Sequence, residues 1–378
     1  MKGSSKILSA AFLAMICAAC GAGNGDTGGD GEDEDKGPWS YVYCANNGSA
    51  SLSAYSMNMT TGALTEIAGS PYTTGQYCRC VAAHPSGKFI YAVNQGAHNV
   101  SAFAVAAGSG ALIKIAGSPF AVGSDPEWVA IEPNGTFAYV TNSGDSSVSA
   151  FAIDPSSGAL TEIAGSPFGV RMGIPSSMTF DPTARFAYIG NIGTSDISAY
   201  AIALTTGALG EIAGSPFASG AAPLCVTADP SGKFLYSVNN NSDDISVFAI
   251  NGATGALAEI AGSPFPTAEF SSPIAMAIHP TAGFAYVTNY VGNVAAYAID
   301  SGSGALTEIA GSPFAAESST TAVAIDPTGL FLYATNQYTS NISAYSINPA
   351  TGVLTEITGS PFRAGSYPFS LALVRLER

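Results

Sequence analysis

The strongest constraint on the fold is an internal repeat. The phrase Gly-Ala-Leu-Thr-Glu-Ile-Ala-Gly-Ser-Pro-Phe recurs with small changes along the 378 residues. A fixed period of 40–50 residues predicts stacked copies of one supersecondary unit rather than unrelated domains. The leucine of the phrase occurs seven times, at intervals of 48 or 49 residues, at Leu64, Leu112, Leu160, Leu209, Leu257, Leu306 and Leu354.

Each copy contains four strand signals. In the third copy, short apolar or alternating runs at residues 128–131, 137–142, 148–153 and 160–164 are separated by turns rich in Gly, Pro, Asp and Ser. No stretch of the copies has a sustained helical period. Four-stranded units at this spacing predict an all-β, seven-bladed β-propeller with blades of 48–49 residues.

The two ends of the repeat region complement each other. Residues 41–46 match a second strand, whereas residues 368–373 match a first strand. We therefore predict that one blade contains both chain ends. Pairing of the N- and C-terminal strands would close the ring and leave no open sheet edge.

The N-terminus has the features of an export signal. Lys2 and Lys6 precede an apolar run at residues 7–16, which is too short to span a bilayer. Ala18, Ala19 and Cys20 resemble a bacterial lipobox, with Cys17 where the motif usually has Leu. We predict a signal peptide at residues 1–19 and lipidation of Cys20. The alternative is an ordinary signal peptide cleaved near residues 19–22.

The composition of the next residues is typical of a linker. Residues 20–38 are rich in Gly, Asp and Glu and contain no large apolar side chain to bury. This predicts a flexible, lipidated acidic tether. The propeller is expected to occupy residues 39–378. The protein would then be exported and anchored in the bacterial cell envelope, on the periplasmic or the outer surface, with its lipid as the only membrane contact.

Charge and motif content exclude several classes of function. Twelve Lys and Arg against 27 Asp and Glu give a formal net charge of −15, which excludes a nucleic-acid backbone as partner. No P-loop is present, and no Cys or His spacing matches a structural metal site. We therefore expect no cofactor and no metal. One disulfide between Cys44 and either Cys78 or Cys80 is possible in an oxidising compartment, with Cys225 unpaired.

Positions that are the same in every copy have structural explanations. A Tyr occurs within each second strand and an Asn ends it, as in Tyr139 and Asn142. Seven identical copies argue against catalysis at these positions, because an active site is normally asymmetric. His84 and His279 stand where other copies have Asp or Glu before Pro, which predicts that they cap turns.

The repeats resemble a known family. Residues 139–142 and 286–289 read Tyr-Val-Thr-Asn, and residues 229–236 read Asp-Pro-Ser-Gly-Lys-Phe-Leu-Tyr. These motifs are similar to those of YVTN-repeat propellers and of the seven-bladed lactonase propellers, of which 6-phosphogluconolactonase is the best-known type. The resemblance implies hydrolysis of a sugar lactone without a metal, by a base that activates water and by donors that hold an oxyanion.

The candidate site is the mouth of the central channel, where the first strands begin. Charged residues there differ between blades, and Arg79 and Glu127 hold equivalent positions in neighbouring blades, so that an ion pair is plausible. Three arginines of the mouth, Arg79, Arg171 and Arg363, could hold carboxylate or sugar groups. The alternative is that these residues are solvated loop charges. The candidate ligand-binding residues are Arg79, Glu127, Arg171, Glu269, Glu317 and Arg363, with Gln76 and Asp125 nearby.

Three functions remain open at this stage. The first is a non-catalytic, envelope-anchored binding or interaction module that takes a small anionic or sugar-like ligand, or a protein partner, at the channel mouth. The second is a lactonase-type hydrolase acting on a sugar lactone there. The third is a structural component of the envelope. Export would remove the protein from cytoplasmic sugar phosphates, which disfavours a phosphorylated substrate.

The predicted anchor can be tested directly. Replacing Cys20 by Ser removes the thiol that would carry the lipid, so the C20S protein is expected to move from the membrane fraction to the soluble fraction. Fractionation of cells that express the wild type and the variant measures this. Membrane association that survives the change would contradict lipidation at Cys20.

Overall fold

A computed structural model of the protein describes residues 39–170, 173–268, 271–280 and 283–376. These residues form seven sheets and one short 3-10 turn at Gln95–Ala97, which confirms the all-β, seven-bladed propeller. The predictions of a signal peptide, of lipidation at Cys20 and of a tether concern residues 1–38, which lie outside the described residues. No helix of the described part is long and apolar enough to cross a membrane.

Each blade takes five of the 35 strands, numbered in chain order. Blade 1 has β1 (Trp39–Asn46), β2 (Ser51–Met57), β3 (Leu64–Glu66), β4 (Tyr72–Thr73) and β35 (Pro368–Leu376). Blade 2 has β5 (Cys78–Ala83), β6 (Phe89–Asn94), β7 (Asn99–Val105), β8 (Leu112–Lys114) and β9 (Phe120–Ala121). Blade 3 has β10 (Pro126–Ile131), β11 (Phe137–Asn142), β12 (Ser147–Ile153), β13 (Leu160–Glu162) and β14 (Phe168–Gly169). Blade 4 has β15 (Pro175–Phe180), β16 (Phe186–Asn191), β17 (Asp196–Ile202), β18 (Leu209–Glu211) and β19 (Phe217–Ala218).

The remaining three blades follow the same order. Blade 5 has β20 (Pro223–Ala228), β21 (Phe234–Asn239), β22 (Asp244–Ile250), β23 (Leu257–Glu259) and β24 (Phe265–Pro266). Blade 6 has β25 (Pro273–Ile278), β26 (Phe284–Asn289), β27 (Asn293–Ile299), β28 (Leu306–Glu308) and β29 (Phe314–Ala315). Blade 7 has β30 (Thr320–Ile325), β31 (Phe331–Asn336), β32 (Asn341–Ile347), β33 (Leu354–Glu356) and β34 (Phe362–Arg363).

Every blade is an antiparallel sheet four strands deep, but its outermost layer is divided into two short strands. In blade 3, β13 pairs with the end of β12 and β14 pairs with its start. The sequence predicted a single fourth strand. The Gly-Ser-Pro phrase breaks that strand, and Ser166 Oγ accepts a hydrogen bond from Ala150 N of β12 at 3.0 Å, so the N–H left between the two pieces keeps a partner.

The chain ends close the ring as predicted. β35 is the innermost strand of blade 1 and pairs antiparallel with β1, from Trp39 opposite Leu376 to Asn46 opposite Pro368. The innermost strands of neighbouring blades then surround the central axis. Blade 1 therefore has five strands, like each of the other six blades.

The recurring Tyr connects each blade to the next. The buried hydroxyl of Tyr43 in blade 1 donates to the backbone oxygen of Gly110 in blade 2 at 2.8 Å. The other six bonds are between 2.7 and 3.0 Å long and link Tyr91 to Gly158, Tyr139 to Gly207, Tyr188 to Gly255, Tyr236 to Gly304, Tyr286 to Gly352, and Tyr333 to Gly62. These residues are therefore structural.

The recurring Asn is structural through its side chain. Asn142 Nδ2 donates to the hydroxyls of Ser147 and Ser149 on the next strand, at 3.1 and 3.0 Å. As predicted, the Asn is the last residue of the second strand. The left-handed residue of the turn that follows is Ser146, four residues later, so the Asn fastens the turn from within the strand.

The four cysteines of the described part, Cys44, Cys78, Cys80 and Cys225, are buried, and no disulfide joins them. The disulfide considered from the sequence is therefore not formed. Burial raises the pKa of the Cys78 and Cys80 thiols to about 12, so both are protonated at neutral pH. No cluster of metal-binding side chains occurs among the residues the structure describes.

Removing the C-terminal strand tests the closure. Deletion of residues 368–378 takes β35 from blade 1, which exposes the inner edge of β1, and we expect the cooperative unfolding transition to be lost. Deletion of residues 377–378 alone, which leaves β35 whole, is the control. Circular dichroism during thermal unfolding measures both. A long deletion that melts like the intact chain would show that the ring does not depend on β35.

Candidate functional site

The channel mouth is formed where the innermost strands begin. In each innermost strand, the second residue has no partner on the second strand of the blade. In blade 3, Pro126 pairs with Asn142 and Trp128 pairs with Thr141, so Glu127 between them is skipped. Such a β-bulge re-aims a side chain. The seven skipped positions, which we call the bulge ring, are Phe369, Arg79, Glu127, Ser176, Leu224, Ile274 and Thr321 in blades 1 to 7.

Contacts of the bulge ring run from one blade to the next. Ser176 Oγ donates to Pro223 O of blade 5 at 2.8 Å, and Thr321 Oγ1 donates to Pro368 O of blade 1 at 3.3 Å. The guanidinium carbon of Arg79 lies 4.6 Å from the centroid of the Phe369 ring, a cation–π contact. The ring is therefore asymmetric, unlike the Tyr and Asn positions.

Arg79 and Glu127 are the two charged members of the bulge ring, and the structure brings them together as expected. Arg79 Nε lies 2.8 Å from Glu127 Oε2, and the two side chains are 5% and 12% exposed. Despite this distance, neither atom has a hydrogen-bond partner of good geometry. The contact is therefore an ion pair whose donor is not aimed at its acceptor.

Two residues from the loops between second and third strands hold the pair in place. Gln95 Nε2 donates to Glu127 Oε1 at 2.6 Å, and Gln95 Oε1 accepts from Arg79 Nη1 at 3.4 Å. Ser143 Oγ lies within hydrogen-bond distance of both Glu127 Oε1, at 3.3 Å, and Asp125 O, at 2.9 Å. The cluster thus connects blade 2 with blade 3.

Burial dominates the electrostatics of this cluster. Loss of hydration raises the pKa of Glu127, while the Arg79 charge and the hydrogen bond from Ser143 act in the opposite direction and only partly offset it. A carboxylate whose pKa is raised is a stronger base than an exposed one. This is the property that a general base needs near neutral pH.

The pair leaves some hydrogen-bonding capacity unused. Arg79 Nη2 makes no hydrogen bond to any described residue, because Arg79 contacts Gln95 through Nη1 and Glu127 through Nε. Glu127 Oε2 is buried and faces Arg79 Nε without a hydrogen bond of good geometry. A water molecule would therefore reach Glu127 Oε2 only if the pair opened.

Arg363 and Glu317, which were also predicted for the mouth, lie outside this cluster. Arg363 is exposed on β34, a short strand in the outer layer of blade 7, and Glu317 is exposed in the connection to β30. The expectation that three arginines converge is not met for Arg363, because Arg79 lies on an innermost strand. Arg171 and Glu269 lie outside the described residues, so nothing is said of their positions.

The sequence analysis missed Gln95, Ser143 and Phe369. Phe369 could have been found, because aligning the copies puts it in register with Arg79 and Glu127. The two loop residues directly follow the recurring Asn, and their role depends on how far each loop folds over the next blade. The copies alone do not encode that distance.

The prediction that His84 caps a turn is confirmed. Its Nδ1 accepts a hydrogen bond from Ser86 N at 3.0 Å, and its Nε2 lies 2.8 Å from Gly135 O of the next blade. His279 makes the equivalent contact to Gly329 O at 2.9 Å. His98 Nδ1 accepts from Asp125 N at 3.0 Å, so it joins two mouth loops.

The comparison with known families decides what kind of propeller this is. The sequence profile of the family described as "Lactonase, 7-bladed beta-propeller" matches residues 38–130, 120–228 and 214–269. The chain belongs to this lactonase family. No curated protein matches its sequence.

Solved structures show the same fold at low sequence identity. Candidate 6-phosphogluconolactonases from Bacteroides uniformis and Bacteroides fragilis align with TM-scores of 0.77 and 0.79, at 19% and 20% identity, over 89% and 91% of this chain and 99% and 100% of theirs. The periplasmic gluconolactonase of Pseudomonas aeruginosa aligns with a TM-score of 0.76 at 16% identity, over 89% of this chain and 99% of that one.

Removing one partner of the buried ion pair should lower the free energy of unfolding more than removing both. Replacing Arg79 by Met leaves the Glu127 charge buried and unpaired, and we expect a loss of about 3–5 kcal/mol in the free energy of unfolding. The double variant R79M/E127Q removes both charges and should recover much of that loss. Urea unfolding of the wild type, R79M and the double variant measures this. A double variant as unstable as R79M would show that the pair is not the source of the cost.

Proposed function

We propose that the protein is a lactonase-type hydrolase that opens a sugar lactone at the channel mouth. The observation that carries this proposal is the Arg79–Glu127 pair, because it joins a base with a raised pKa to a cation in the asymmetric part of an otherwise repetitive ring. Membership of the lactonase family supports the same reaction.

The proposed reaction requires the pair to open, so that water reaches Glu127. The Glu127 carboxylate then takes a proton from a water molecule, whose oxygen attacks the lactone carbonyl carbon. Arg79 Nη2 donates to the oxygen on which negative charge develops. The tetrahedral intermediate collapses as the ring C–O bond breaks. The departing ring oxygen takes the proton back from Glu127, and the product is the open-chain hydroxy acid.

The proposed substrate carries no phosphate. Arg79 is the single cation of the bulge ring and is already paired with Glu127, so a dianionic phosphate would find no free counter-charge there. The proposed export signal and lipid anchor at Cys20 favour the same substrate, because they would place the enzyme in the cell envelope, away from cytoplasmic sugar phosphates.

An envelope-anchored module that binds a ligand without catalysis is the second candidate function. The observation that favours it is burial, since Arg79 is only 5% exposed and a substrate must approach the pair through the channel. In that case the mouth would bind a sugar-like molecule or a protein partner and leave it unchanged.

Replacing Glu127 by Gln separates the two functions. If Glu127 is the base, E127Q should lose about 10²–10⁴-fold in kcat on glucono-1,5-lactone. Because only the ionised carboxylate can take a proton, wild-type kcat/KM should fall with decreasing pH through an apparent pKa above the ordinary value of a glutamate. Glu66→Gln, on the exposed outermost strand of blade 1, is the matched control.

A pH-stat assay that follows release of acid measures the rates, with a panel of sugar lactones that includes the 6-phosphate. Wild-type protein that hydrolyses none of them, or E127Q protein as active as wild type, would reject the proposed reaction. The first of these outcomes would leave the binding role as the better explanation, and the second would assign the base to another residue.

A further inference from the structure

Four tyrosines lie around one half of the channel mouth. We call Tyr290, Tyr338, Tyr367 and Tyr77 the tyrosine arc, because they belong to the consecutive blades 6, 7, 1 and 2. Tyr338, Tyr367 and Tyr77 are 56%, 44% and 48% exposed, whereas Tyr290 is half-buried. None of them occupies the structural Tyr position of the second strands.

Three rings of the arc, those of Tyr290, Tyr338 and Tyr367, form a chain of contacts. The Tyr290 and Tyr338 ring centroids are 6.2 Å apart and those of Tyr338 and Tyr367 are 6.0 Å apart, with interplanar angles of 70° and 87°. The Tyr290 and Tyr338 hydroxyls are joined by a hydrogen bond of 2.9 Å. Edge-to-face contacts of this kind hold the rings at fixed angles. The apolar ring faces and the polar hydroxyls are therefore in place before a ligand binds.

The arc lies beside uncharged loops, although Glu317 lies in the connection to β30 of the same half. The loops between second and third strands contain no Asp, Glu, Lys or Arg in blades 6, 7, 1 and 2. In the same region of blades 3, 4 and 5, acidic residues occur at Asp145, Asp196, Asp243 and Asp244. A cationic partner would therefore prefer the acidic half. The aromatic half suits a neutral ligand.

A buried acceptor without a donor lies beside the arc. Gln337 directly precedes Tyr338, is 2% exposed, and its Oε1 has no hydrogen-bond partner. It occupies the position in blade 7 that Gln95 occupies in blade 2, from which Gln95 reaches the bulge ring. An unsatisfied buried oxygen is costly, and a ligand hydroxyl would supply the missing donor.

We propose that the tyrosine arc is a subsite for a neutral saccharide ring, which packs its C–H face on the exposed Tyr338 and Tyr367 rings and donates a hydroxyl to Gln337. The lactone part of this inference rests on the proposed function: the substrate would be a lactone with a second sugar attached. The lactone then lies at Arg79 and Glu127, and the attached sugar lies over blades 7 and 1.

The shared position of the two features supports this arrangement. Tyr367 is two residues from Phe369, whose ring contacts Arg79, so the arc and the ion pair meet in the same sector of the channel. A purely apolar partner would leave the tyrosine hydroxyls and Gln337 without matching groups. A saccharide offers both C–H faces and hydroxyls, which is the combination present here.

Binding measured without turnover tests the subsite. Isothermal titration of wild type and E127Q with glucose, cellobiose, maltose and lactose should show at least one disaccharide that binds tenfold or more tightly than glucose. Tyr338→Ala and Tyr367→Ala should each remove most of that tenfold gain, whereas Tyr338→Phe, which keeps the ring, should retain most of it. Leu204→Ala, a 54% exposed residue in the turn between the third and fourth strands of blade 4, is the control.

The outcomes separate this inference from the proposed reaction. Disaccharide binding that depends on the tyrosines, in a protein that hydrolyses no lactone, would support the subsite and reject the reaction. The inference is overturned if no disaccharide binds better than glucose, or if the tyrosine variants bind as well as wild type. It is also overturned if light scattering shows a dimer that Y338A and Y367A dissociate, because a second copy would then cover the arc.

Discussion

The hydrogen bond from a second-strand tyrosine to a glycine carbonyl of the next blade is the contact on which the ring depends. All seven hydroxyls are buried, and each reaches across a blade boundary to a turn that would otherwise present an unpaired oxygen. The glycine has a positive φ, and at Gly207 an added Cβ would lie 2.5 Å from the Phe137 ring. Tyrosine, phenylalanine and glycine therefore specify one another, and this requirement explains why the repeat changes so little.

Because that contact is the same seven times, it leaves the rest of each blade free to vary. The bulge ring uses this freedom, since the sheet pairing skips its residues and the residue type there can change without altering a pair of the ladder. Arg79 and Glu127 in blades 2 and 3 differ from Leu224 and Ile274 in blades 5 and 6. Function in a symmetric fold has to come from such positions, because chemistry on one substrate needs different groups on different sides.

What the sequence could predict divides in the same way, between the repeated positions and the positions that vary between blades. The period of the leucines, the strand signals and the complementary ends were enough to predict seven blades and their closure. The pairing of Arg79 with Glu127 also followed, since equivalent positions in adjacent blades lie side by side. Gln95 and Ser143 did not follow, because their contacts depend on loop conformation. Arg363 was placed at the mouth from its position before a first strand, although the break at Gly-Ser-Pro puts it in the outer layer.

The asymmetry of the mouth connects these observations. Acidic residues gather over blades 3 to 5, tyrosines gather over blades 6 to 2, and the ion pair lies at the boundary between blades 2 and 3. A neutral ligand held on the tyrosines would thus approach Glu127 from the side on which the loops between second and third strands are uncharged. The product of lactone hydrolysis is a carboxylate, which the acidic half and the net charge of −15 would repel. The same charge distribution that admits a neutral substrate would therefore favour release of an anionic product.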